Sequence, residues 1–121
     1  MSRQALLSLG AMKNEAAVPT LVKTVKSMDS KPGIADIKKE AIKALGEIGS
    51  PEALPVLQEI LGKTAFWRRA LVDDVRATAV QAISGLRSDA VVDILKGAMN
   101  DKSEIVARAA TKAYKQLKRT E

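Results

Sequence analysis

Apolar and small residues return along this chain at two nested spacings. Within short segments they fall at offsets of 0, 4, 7 and 8, which places them on one face of an α-helix. Met1, Ala5, Ser8 and Leu9 open the series, and Ile37, Ala41, Ala44 and Leu45 repeat it. Val75, Ala79, Ala82 and Ile83 form the third copy; Val106, Ala110, Ala113 and Tyr114 form the fourth. A second series lies between these: Ala17-Val18-Pro19 with Leu21, Ala53-Leu54-Pro55 with Leu57, and Ala90-Val91-Val92 with Ile94. Helices of the first series are termed A and those of the second B. The pattern predicts helices at 2–11, 15–28, 34–48, 51–62, 73–86, 88–98 and 103–118. These make three A–B pairs followed by an unpaired A helix.

Polar punctuation supports the division. Asn14, Ser50 and Ser88 stand where the B helices need N-caps, and Pro51 follows Ser50 at the first helical position. Pro19 and Pro55 fall about one turn in, where a lost backbone N–H costs least. Asp101-Lys102-Ser103-Glu104 reads as a capping box opening the last helix. Asp73 and Asp74 are expected at a helix start, favoured there by the macrodipole. Gly46 and Gly49 read as helix-end glycines.

Successive A helices are separated by 36, 38 and 31 residues. A period of 30-odd residues built from paired helices predicts an all-α solenoid of antiparallel helical pairs. Its A stripe is rich in alanine, so neighbouring helices can approach closely. One domain is expected over 1–121, with repeats at about 1–28, 34–62 and 73–98 and a terminal helix at 103–118. The two longer intervals carry insertions after a B helix, at 29–33 and 63–72, which predicts that both emerge on one edge.

Composition narrows the chemistry. With no cysteine and no histidine among 121 residues, disulfides, thiolate chemistry and imidazole-based catalysis or metal binding are excluded. A non-enzyme without cofactor or metal is therefore expected. No apolar run approaches a membrane span and no charged-then-apolar leader opens the chain, so a cytoplasmic location without membrane association is expected. The net charge of +6 is uneven, at +1 over residues 1–62 and +5 over 63–121.

The run Ala41-x-x-Ala44-Leu45-Gly46-x-Ile48-Gly49-Ser50-Pro51-Glu52-Ala53-Leu54-Pro55-x-Leu57, with Asp74-Val75-Arg76, resembles the HEAT-like repeats first noted in phycobilisome lyases. The resemblance covers nearly the whole chain, about three and a half repeats, and implies a right-handed superhelix that serves as a protein-interaction scaffold. The arginine usual after the valine is Lys38 in the second copy and Ala107 in the fourth, which bears on whether an inter-repeat Arg–Asp ladder runs the length of the array. HEAT-repeat iron hydroxylases hold their metal with His-Glu pairs, and this chain has no histidine. Bilin lyases are similar only in the generic repeat.

Two groups of residues are candidates for partner binding. Phe66, Trp67, Arg68 and Arg69 have an interface composition, although the two aromatics would equally serve to pin the insertion inward. Arg108, Lys112, Lys115 and Arg119 are spaced 4, 3 and 4 apart and form a basic stripe on the last helix, suited either to a partner or to the solvated face of a capping unit. The expected function is a non-catalytic scaffold presenting its B-helix face and the 63–72 loop to a partner protein. The alternative is a nucleic-acid-binding repeat using the basic half, as in HEAT-like DNA glycosylases. The chain opens inside the first A helix, which predicts either a longer parent array or self-association through Leu6, Leu7, Leu9, Val18 and Leu21.

Overall fold

The computed structural model describes Gln4 and residues 14–27, 32–63 and 69–119. Six α-helices are present among them: α1 (Val18–Ser27), α2 (Pro32–Ile48), α3 (Leu54–Gly62), α4 (Arg69–Ser84), α5 (Val91–Ala98) and α6 (Glu104–Arg119). The described residues contain no strand. Helices α2, α4 and α6 are the A helices of the sequence pattern, and α1, α3 and α5 are its B helices. The predicted first A helix at 2–11 lies outside the described residues apart from Gln4, as do Leu6, Leu7 and Leu9 of the predicted N-terminal face.

The A helices form one layer, with α4 packed between α2 and α6. Each B helix packs on the A helix that follows it: α1 on α2, α3 on α4 and α5 on α6. One continuous core results. Ala41, Ile42 and Leu45 of α2, Ala79, Val80 and Ile83 of α4, and Val106 and Ala110 of α6 are fully enclosed. The B helices contribute Val18, Leu21, Leu57 and Leu95, and Val18 and Leu21 are thus core residues rather than a bare face. This is the all-α, paired-helix solenoid that the spacing implied.

All three predicted B-helix caps are made. The Asn14 side chain accepts from the Ala16 N–H at 3.1 Å, Ser50 from Glu52 at 3.3 Å and Ser88 from Ala90 at 3.3 Å. The first two caps open 3-10 turns, Glu15–Ala17 and Pro51–Ala53, which run directly into α1 and α3.

Several local expectations are corrected. Helix α2 begins at Pro32, not 34, because proline is pre-organised for the first helical position. Helix α4 begins at Arg69, not 73, since Leu71 stands four residues before Val75 and extends the apolar stripe by a turn. The loop after α3 is accordingly shorter than 63–72, and Asp73 and Asp74 lie in the second turn of α4, paired with Arg76 of the same helix and Lys39 of α2. Gly46 is inside α2, and only Gly49 ends it, at φ 77°. At the start of α6 the capping box does not close on itself. Ser103 Oγ accepts from the Val106 N–H, while Glu104 reaches forward to Arg108.

Candidate partner-binding surface

The surface is held in shape by a few specific contacts between repeats. Where α4 crosses α2, a Cβ added at Gly46 would stand 2.6 Å from Ala82 Cα. One added at Gly85 would stand 2.5 Å from the Gly46 carbonyl oxygen. Two glycines thus set how closely these helices approach. Arg87 straps the same region: its N–H donates to the Gly49 carbonyl at 2.9 Å, and its guanidinium donates to the Ile48 carbonyl at 3.1 Å and to Glu15. That single side chain satisfies an orphan carbonyl at the end of α2 and ties it to the first B turn.

The second joint centres on Arg76, which is buried. Its guanidinium donates to Asp101 through both terminal nitrogens, at 2.6 and 3.2 Å, and its Nε donates to the Leu61 carbonyl at 2.7 Å. Asp73, one turn earlier, adds a 3.3 Å contact. Asp101 in turn accepts from the Ser103 N–H at 2.9 Å, so one carboxylate links α4 to the start of α6. Burial alone would raise the Asp101 carboxyl, but the Arg76 hydrogen bond, the Ser103 N–H and the Arg76 charge outweigh it and hold the group below its ordinary value. Arg76 is desolvated too, yet its two carboxylates raise it further.

Among the described residues this is one Arg–Asp rung between repeats. At the matching place in the preceding repeat Lys38 replaces Arg76, and residues 61–64 read Leu61-Gly62-Lys63-Thr64 with no carboxylate. Between α2 and α4 a brace is made by Lys39, which reaches Asp74 at 2.5 Å. The Asp74 hydrogen bond is the main reason that the Lys39 ammonium is raised above its ordinary value.

The sequence-predicted site residues divide. Phe66, Trp67 and Arg68 lie outside the described residues. Arg69 belongs to α4, exposed at the mouth of a cleft of about 660 Å³ that also holds Asn100, Lys102 and Ser103. Arg108, Lys112, Lys115 and Arg119 are all exposed on α6, as their spacing required. The first three line a shallow depression of about 510 Å³ with Glu104, Ala107 and Thr111. The structure does not bring Arg69 and the α6 stripe into one pocket.

Sequence reasoning missed a groove across the A layer. It has a volume of about 390 Å³ and is lined by Lys39 and Lys43 of α2, by Asp74, Ala77, Thr78 and Gln81 of α4, and by Ile105, Arg108, Ala109 and Lys112 of α6. One signal was available. Residues 36, 74 and 105 share a register, and the aspartates of the second and third copies become Ile105 in the fourth.

A layer of repeated helical pairs joined in this way agrees with what sequence comparison finds. The sequence model of a family described as HEAT repeats matches residues 1–73. The chain belongs to the HEAT-repeat family. The match is to HEAT repeats at large and does not single out the phycobilisome-lyase type. No curated protein matches the sequence. The stacking of α4 and α6 carries the repeat packing beyond the matched span. HEAT repeats are commonly protein-interaction scaffolds and typically not enzymes. Among the described residues no helix is long and apolar enough to cross a membrane, and no group of three or more Asp or Glu is placed to hold a metal ion.

Proposed function

We propose that this HEAT-repeat protein is a non-catalytic interaction scaffold that offers a preordered helical surface, together with the loop leading into Arg69, to a partner protein. The observation that supports this most is the division of labour among its charges. Arg76, Asp101, Lys39, Asp74 and Arg87 brace one helix against another, while Arg108, Lys112, Lys115 and Arg119 project from α6 into solvent. A braced surface loses little conformational entropy on association, so its contacts convert efficiently into affinity. In the loop, Trp67 and Arg68 have the composition of an interface hot spot.

Affinity capture from cell extract, with and without nuclease, tests the reading. The expected result is a protein retained after nuclease treatment and lost, or weakened by about 1–3 kcal/mol, in the Trp67→Ala/Arg68→Ala variant or in Arg108→Glu/Lys112→Glu. Retention that vanishes with nuclease would favour the nucleic-acid alternative, in which the basic second half contacts phosphates.

A further inference from the structure

Ile105 is the one large apolar side chain among the described residues that is strongly exposed, at 50%. A lone exposed aliphatic is ordinary on a protein surface. This one lies in the groove across α2, α4 and α6, flanked by the small side chains of Ala77 and Ala109. Its register also matters. Between α2 and α4 the positions of this row are held by the Lys39–Asp74 ion pair, and between α4 and α6 the equivalent positions are Ala77 and Ile105. A charged brace has been exchanged for an apolar spot open to solvent.

The rim of the groove is cationic. Lys39 is neutralised by Asp74, which leaves Lys43, Arg108 and Lys112. Among the described residues Lys43 has only a 3.7 Å ion-pair contact, to Glu40 one turn back on its own helix. Arg108 pairs with Glu104, and both of these side chains are about three-quarters exposed. Exposed pairs within one helix are weak and give way readily to a better-placed carboxylate. Among the described residues Lys112 has no ion-pair partner.

Resting on the scaffold reading, we infer that this groove binds an extended acidic segment of a partner protein, with an aliphatic side chain over Ile105 and carboxylates at Lys43, Arg108 and Lys112. Packed helices lie about 8–10 Å apart, so a groove crossing three of them takes roughly six extended residues. A peptide fits this surface better than a nucleic acid does. It can place neutral residues opposite Asp74 while keeping carboxylates opposite the cations, whereas a phosphodiester carries charge at every step. Base stacking also lacks a platform here. Tyr114 is the one aromatic residue among those described, and its ring is faced by Lys96 and Lys118, away from the groove residues.

The test uses the full chain and a fluorescein-labelled decapeptide of glutamates interrupted by two leucines. An all-glutamate peptide, a glutamine-for-glutamate analogue and a single-stranded oligonucleotide serve as comparators. Binding is followed by anisotropy, and backbone amide NMR maps the contact. The leucine-containing acidic peptide is expected to shift the amides of Lys43, Ala77, Ile105, Ala109 and Lys112, and to bind more tightly than the glutamine analogue. Lys43→Glu/Lys112→Glu is expected to weaken it about tenfold or more, since like charges then face each other. Ile105→Ser should weaken the leucine-containing peptide and leave the all-glutamate peptide unchanged. All three positions are at the surface, so unchanged helical circular dichroism confirms the variants are folded. No binding, equal binding of the glutamine analogue, or amide shifts confined to Arg69 and its neighbours would overturn the groove; the last of these leaves the scaffold reading standing. Tighter binding of the oligonucleotide at the same amides would sink both.

Discussion

At Gly46 a hydrogen stands where any other residue would put a carbon, and the neighbouring helix uses the space. A methyl group there would meet the Ala82 Cα at 2.6 Å and its Cβ at 2.9 Å. The first contact is backbone, so no rotamer relieves it and α4 must move. Overpacking of this kind costs about 1–3 kcal/mol, against which alanine regains up to about 1 kcal/mol of helix propensity. Gly46→Ala should therefore lower stability, and a urea melt should show a reduced midpoint. An unchanged or raised midpoint would mean that α2 and α4 are not in this contact. Neither this glycine nor Arg87 was legible from sequence for its actual role. Gly46 sits three residues before Gly49 and looks like part of the same helix stop. Arg87 looks like a polar turn residue, because the carbonyls and the carboxylate it binds are 38, 39 and 72 positions away.

Between elements, the joint from α4 to α6 rests on Arg76 and Asp101, and its pH dependence has a definite sign. The Asp101 carboxyl is held below its ordinary value in the folded protein. Its contribution to stability is thus complete above the unfolded value of about 3.9 and is lost as pH falls through the lower folded value. Asp101→Asn leaves a buried guanidinium without its main anion and should destabilise by about 3 kcal/mol at neutral pH, the lower end for a broken buried pair. The difference from wild type should shrink below about pH 4. A gap that stays constant with pH would remove the ion pair as its cause. At this scale much of the fold was legible. Alanine stripes, caps and prolines fixed the helices because each acts locally. The extra turn at Arg69–Val72 was hidden by the assumption that a helix opens at an acidic pair, when Leu71 already continued the stripe. The braces at Arg76 and at Lys39 involve partners 25 and 35 residues apart, which the repeat pattern alone does not connect.

Over the whole molecule, one register position shows how the array changes along its length. Gly10, Gly46, Ser84 and Lys115 are equivalent in the four copies. The first three are small, and Gly46 lies against the next A helix. Lys115 is exposed on α6. Together with Arg108 and Lys112 it makes this side of α6 basic and open to solvent. The candidate site was legible to the same degree. The α6 stripe follows from spacing on one helix, whereas the groove is assembled from three helices and required the packing to be known.

That basic surface would also attract phosphates if the array bound nucleic acid. Fluorescence anisotropy of labelled duplex and single-stranded oligonucleotides, titrated with the protein at low and near-physiological salt, tests it most directly. Phosphate-driven binding weakens log-linearly with salt concentration. A protein-interaction scaffold predicts no binding at physiological salt, with at most a weak association when salt is very low. Salt-sensitive binding that persists in the micromolar range at physiological salt would contradict it and make this array a nucleic-acid-binding one.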